Sequence, residues 1–213
     1  MPRPAIFALG LSLAAFASGT AQAEDKRLDL GPVHSVHVAN LGTLSITVGE
    51  AQSLLLSAPD GKMDRLEVDF EGGVLRIKRQ KSWFGGDDAE PYQARLSVQS
   101  LDALTVSGGT KATVRGIAAD RFALEIAGAA KLDIVGTCAT LTLEASGANT
   151  LFGQGLRCDE VSLEAAGAND LHVFASKAIG VKAAGANSVT VHGTPQRLEN
   201  NSAGANKVRL ADG

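Results

Sequence analysis

Apolar and polar residues alternate with a period of two through most of this chain, and the alternation is interrupted at regular intervals by a short glycine phrase. The phrase reads Ser-Gly-Gly-Thr at 107–110, Ala-Gly-Ala-Ala at 127–130 and Ser-Gly-Ala-Asn at 146–149, then Ala-Gly-Ala-Asn at 166–169, 184–187 and 203–206. Its glycines, Gly108, Gly128, Gly147, Gly167, Gly185 and Gly204, fall at intervals of 20, 19, 20, 18 and 19 residues. Counting from the last residue of each phrase, apolar residues recur six before (Leu104, Leu124, Leu143, Leu163, Val181) and two after (Ala112, Leu132, Leu151, Leu171, Val189, Val208). Period-two alternation on both flanks of a tight corner predicts two short half-buried strands per repeat. A repeat of about 19 residues cannot bury its apolar face alone, so successive coils stack. The expected fold is all-β, a right-handed parallel β-helix, because parallel crossovers are almost always right-handed.

The corner has its own chemistry. Glycine accepts positive φ, Asn tolerates a left-handed backbone, and the alanine between them is small enough to sit inside a sharp bend. Identical asparagines stacked coil on coil can join their amides in a ladder. Gly147, Asn149, Gly167, Asn169, Gly185, Asn187, Gly204 and Asn206 are therefore read as structural, forming one line along the axis.

Three segments follow from this pattern. Residues 1–23 read as a signal peptide: Arg3 is the basic start, Ala5 to Ala17 the apolar run, and Ala21-Gln22-Ala23 the cleavage site. Residues 24–100 form a less regular β region that caps the solenoid, with turns at Pro59-Asp60-Gly61 and Gly72-Gly73. Residues 101–213 are the repeat coils, the last made polar by Asn200 and Ser202 so that no greasy edge is left open. The implied location is periplasmic or secreted.

Charge narrows the partners. The chain carries 20 Lys+Arg against 23 Asp+Glu, a mildly acidic balance that argues against a nucleic acid, and no stretch after the leader approaches the roughly 20 apolar residues of a membrane helix. The two cysteines, Cys138 and Cys158, each lie 11 residues before a repeat asparagine (149 − 138 and 169 − 158), which places them in one register of neighbouring coils. In an oxidising compartment that register permits a disulfide, and two thiols without a nearby His make a poor zinc site.

Candidate chemistry is sparse. No nucleotide loop, nucleophile elbow or zinc-protease motif occurs, and no cofactor is implied. His34 and His37 point to opposite faces of one strand, and His172 and His192 sit three and five residues past their asparagines; all four read as surface residues. Glu125, Glu144 and Glu164, followed by Lys182, form an outward column five residues before the phrase end, a weak candidate for cation or glycan contact or for a polysaccharide-cleaving site. Trp83 and Phe84, beside Asp87, Asp88 and Glu90, would either stack on a sugar or partner or fold down as a hydrophobic lid.

The leader, the stretches VHVANLGTLSITVG (36–49) and LEVDFEGGVLRIKR (66–79), and the serial SGAN/AAGAN coils resemble the autotransporter-adhesin head GIN domain family over roughly residues 33–210. The resemblance implies a single right-handed β-helical domain over 24–213, an exported location, an adhesin-like role and no established catalytic residues. The function expected is that of a non-catalytic envelope scaffold or binding module for an envelope protein or polysaccharide. The alternative is a β-helical polysaccharide-cleaving enzyme that uses the acidic column.

Overall fold

Alternating side chains dictate strands with one face in and one face out, and the computed structural model of this chain consists almost wholly of such strands. It describes residues 24–59, 61–80 and 92–211. The expected signal peptide at 1–23 and the Trp83-Phe84 loop lie outside the described residues. The strands in chain order are β1 (Glu24–Leu28), β2 (Ser35–Ala39), β3 (Thr43–Val48), β4 (Ser53–Ala58), β5 (Leu66–Glu71), β6 (Val74–Arg79), β7 (Gln93–Val98) and β8 (Ala103–Gly108). Then come four long bent strands, β9 (Lys111–Gly128), β10 (Lys131–Gly147), β11 (Thr150–Gly167) and β12 (Asp170–Gly185), followed by β13 (Ser188–His192), β14 (Arg197–Gly204) and β15 (Lys207–Leu210).

Pairing between coils is parallel and in register, which makes the fold the β-solenoid that the repeat implies. Each long strand begins in one wall, bends, and ends in the other, so two walls enclose the core. The first wall runs β5-β6-β2-β8 and continues through the C-terminal halves of β9 to β12 to β14. The second runs β1-β4-β7-β3 and continues through the N-terminal halves of β9 to β12, then β13 and β15.

Stacking order departs from chain order at the N-terminal end. Strands β2 and β3 lie between the layer made by β6 and β7 and the layer made by β8 and β9. Residues 24–100 thus supply in-register layers of the solenoid although they lack the glycine phrase. The antiparallel partners β5, β4 and β1 cover that end. At the other end β14 is exposed along its whole length, and Leu198 and Leu210 are exposed on the last coil.

The core is a set of rows running along the axis. Leu75, Val36, Leu104, Leu124, Leu143, Leu163 and Val181 are buried neighbours in successive layers, as are Ala94, Leu44, Ala112, Leu132, Leu151, Leu171 and Val189. Apolar stacking of this kind hides each row from water without requiring large side chains, which is why so few aromatics suffice.

The corner corrects two expectations and accounts for the repeat: none of the asparagines at 149, 169, 187 and 206 takes a left-handed backbone, Asn40 being the one non-glycine residue among those described with positive φ. The alanines of the phrase, Ala148, Ala168, Ala186 and Ala205, are exposed, while Asn149, Asn169 and Asn187 are buried. Glycine sets this direction. Gly147 and Gly167 both have φ of +107°, and a Cβ on Gly167 would stand 2.2 Å from the Gly147 carbonyl oxygen. That geometry turns the alanine out and the asparagine in, and only glycine fits between the stacked corners.

Once inside, each asparagine is fully engaged. Asn169 Oδ1 accepts from the Asn149 backbone N–H (3.0 Å) and from Asn149 Nδ2 (2.8 Å), while Asn169 Nδ2 donates to Asn187 Oδ1 (2.8 Å) and to the Ala166 carbonyl (3.0 Å). The pattern repeats from Asn187 to Asn206. Room for the amides comes from the row four positions earlier. It holds Ala145, Ala165 and Ala183 in the asparagine coils, but Val106 and Ile126 in the coils that carry Thr110 and Ala130.

Cys138 and Cys158 face each other across β10 and β11 with Cα atoms 4.5 Å apart, and the structure joins them in a disulfide inside the core. Protein isolated from an oxidising compartment and denatured without reductant is expected to show no alkylatable thiol. Closing a loop with a sequence separation of 20 should make the Cys158→Ser variant less stable by about 3 kcal/mol in the loop-entropy account. Two free thiols per chain would contradict the bond.

Asn169→Ala leaves the Asn149 backbone N–H and one of its amide hydrogens buried without an acceptor. At about 1–3 kcal/mol for each of the two orphaned donors, urea unfolding should show a loss of about 2–6 kcal/mol. Asn206→Ala, on the partly exposed last coil, should cost clearly less because water can replace the lost partner.

Candidate functional site

Parallel in-register stacking does on the outside what it does in the core: it places equivalent residues of successive coils in columns. Two such columns carry chemistry, one on each wall.

On the first wall, outward positions bring Thr105, Glu125, Glu144, Glu164, Lys182 and Asn201 into direct register. Glu125 and Glu144 neighbour each other, and Glu144 neighbours Glu164. The ends of the acidic run are engaged. Thr105 Oγ1 donates to Glu125 Oε2 (3.3 Å), and Lys182 Nζ meets Glu164 Oε1 at 2.8 Å. The hydrogen bond to Glu164, then its charge, hold the Lys182 ammonium above its ordinary pKa. Small residues beside the column (Ser146, Ala166, Ala184 and Ala203) leave an open groove of about 470 Å³ along it. The groove is shallow because the residues on its flank end at Cβ or one atom beyond. Chemically it offers a row of carboxylates with one ammonium, directed at solvent rather than at an enclosed reacting centre.

On the second wall, Phe152 and His172 are paired partners on β11 and β12, their ring centroids 6.0 Å apart and nearly parallel. His172 is in turn 5.7 Å from the His192 ring, and its Nδ1 lies 3.4 Å from His192 Nε2. Sequence reasoning treated these two histidines as separate surface residues. The structure brings them together because His192 pairs with Phe174 and His172 with Thr190, so the two imidazoles are diagonal neighbours on adjacent strands. The signal was present: both positions point outward by alternation, and a two-residue offset between adjacent strands is within reach of an aromatic ring.

Cations surround this aromatic row. Lys131 Nζ stands 5.3 Å from the Phe152 ring centre and the Arg157 guanidinium 5.1 Å from that of Phe174. The Arg209 side chain donates to Thr190 Oγ1 at 3.0 Å. Burial first, then the neighbouring His172 and Arg209, pushes the His192 imidazole below its usual pKa, so the folded protein favours its neutral form.

The remaining histidines stay apart from this row. His37 lies on β2 of the first wall, and His34 Nδ1 is 3.3 Å from Ser100 Oγ. Among the described residues, no group of three or more His, Cys, Asp or Glu side chains is arranged to hold a metal ion. The acidic column therefore does not converge as a cation cage. Among the same residues, no helix is long and apolar enough to cross a membrane.

Comparison with known proteins places this geometry. A crystal structure of a putative adhesin from Bacteroides fragilis NCTC 9343 is similar with a TM-score of 0.68 at 14% identity, over 90% of this chain and 98% of that one. A putative lipid binding protein from Parabacteroides distasonis ATCC 8503 is similar with a TM-score of 0.53 at 12% identity, over 92% and 98% of the two chains. A putative adhesin from Parabacteroides merdae ATCC 43184 gives 0.52 at 10% identity, over 91% and 98%. Likeness at such low identity shows a shared fold and carries no residue roles. No curated protein matches the sequence. The family model described as putative auto-transporter adhesin, head GIN domain matches residues 34–195. With three quarters of its length matched and the same solenoid in the solved relatives, this chain belongs to that family.

Proposed function

We propose that this protein is an exported, non-catalytic binding module of the cell envelope, periplasmic or secreted, that holds an envelope protein or a polysaccharide against a rigid wall of its solenoid. The observation that carries the reading is the arrangement of its exposed chemistry. On one wall three carboxylates and a flank of small residues stand in columns repeated coil after coil, and on the other Phe152 stacks on His172. A repeating surface suits a repeating or extended partner, whereas catalysis calls for an acid, a base and a substrate-shaped cavity converging on one point. The sequence leader supports export, and fold relatives named as adhesins support a binding role. Trp83 and Phe84 are proposed as an additional contact to the partner.

A second reading has one observation in its favour: the open groove of about 470 Å³ lies directly over Glu125, Glu144 and Glu164. Paired carboxylates along a groove are also how glycan-cleaving enzymes act. Screening the mature protein on a glycan array, followed by a reducing-end assay on any glycan retained, separates the two. The binding module is expected to retain a glycan, or an envelope protein in a pull-down, without turnover, and to lose affinity in Trp83→Ala. Turnover that disappears in Glu144→Gln would overturn this reading in favour of the enzyme.

A further inference from the structure

We infer that His172 and His192 form a solvent-open, two-imidazole site for a divalent transition-metal ion of borderline softness, Zn²⁺ or Cu²⁺. The inference rests on the second wall alone and stands apart from the binding role proposed above. Its first support is a length. Two nitrogens bound to one tetrahedral ion at about 2.0–2.1 Å lie about 3.4 Å from each other. His172 Nδ1 and His192 Nε2 are 3.4 Å apart. Two imidazole nitrogens this close share a single proton as they stand, and a modest turn of the rings that brings both lone pairs to one point beside the line between them would let them share a single cation. An ion taking that place needs each neutral ring to keep its one N–H on the nitrogen turned away from the partner. One ring changes tautomer, and no net proton is lost.

The second support is what lies behind His172. Asp170 Oδ1 stands 3.8 Å from His172 Nε2, the nitrogen that faces away from His192. At 3.8 Å the carboxylate makes no hydrogen bond in this rotamer, but its charge favours the N–H on Nε2 and so the lone pair on Nδ1, and a small side-chain turn would bring it to the position a carboxylate takes behind a metal-binding histidine. Lys131, Arg157 and Arg209 lie on the same face and work against an ion there, opposed by the carboxylate of Asp170 beside His172.

The third support is rigidity. Both histidines sit on paired parallel strands, β12 and β13, and the Phe152 ring stacks beneath His172, so the two rings are held in place before any ion arrives. The His172 side chain keeps 25% of its surface exposed, which leaves outer coordination positions to water or to a ligand from outside the chain. Imidazole nitrogens with open positions suit Cu²⁺ and Zn²⁺, with Cu²⁺ the tighter, and do not suit Mg²⁺ or Ca²⁺.

Calorimetry on tag-free mature protein at about pH 7.5 tests the site directly. One Cu²⁺ is expected to bind per chain, Zn²⁺ more weakly, and Mg²⁺ not at all. His172→Gln and His192→Gln should each weaken Cu²⁺ at least about tenfold, with His34→Gln unchanged. In the unmutated protein, substoichiometric Cu²⁺ should broaden the imidazole resonances of His172 and His192 before those of His34 and His37, a readout that does not depend on a variant folding. Absence of Cu²⁺ binding, binding unchanged in both variants, or earlier broadening of His34 or His37 would overturn the inference.

Discussion

An amide inside an apolar core must find a partner for every donor and acceptor, and in this protein the partners are other copies of the same amide. Asn149, Asn169 and Asn187 each pass a hydrogen bond to the next coil, Asn206 ends the run by accepting one, and all four satisfy a backbone carbonyl of their own corner. A coil shifted by one residue would take its asparagine out of line and leave buried donors orphaned, a cost of about 1–3 kcal/mol each. The apolar rows oppose a slip of one residue, which would turn every side chain to the other face, but not a slip of two, which keeps apolar residues inside; the ladder opposes both. The ladder therefore fixes the register of the coils from β9 to β15, and the order of the outer surface over those coils follows from that register.

Register explains why the outer surface has columns at all. Once Glu144 is bound to lie over Glu125 and under Glu164, the acidic row is a consequence of stacking and needs no separate device. The same holds for Phe152 beside His172. Repetition in the core is thus exported to the surface, where a single favourable contact can be repeated along the axis. Multiplied weak contacts are how a chain with few large side chains can still hold an extended partner firmly.

Much of this was legible in the sequence, because the signal is periodic. The glycine spacing fixed the coil length, and the alternating flanks fixed which side chains enter the core. The shared offset of Cys138 and Cys158 placed them opposite each other. What escaped was the direction of the corner: glycine and alanine are both small, and only the observed φ of Gly147 and Gly167 decides which neighbour turns inward. The place of β2 and β3 within the stack also escaped, since an insertion out of chain order leaves no trace in periodicity. The His172–His192 contact was hidden for a related reason, as it joins positions offset by two residues rather than aligned ones.

Native-state hydrogen exchange of the corner amides tests the central claim most directly. The backbone N–H groups of Ala130, Asn149, Asn169 and Asn187 each donate to the asparagine oxygen of the following coil, at 2.9, 3.0, 3.1 and 2.9 Å. If the ladder fixes the register, these four amides exchange only through global unfolding, as slowly as those of the central strands. Exchange of the four near the rate of an unprotected chain, with the strands on either side still protected, would contradict it.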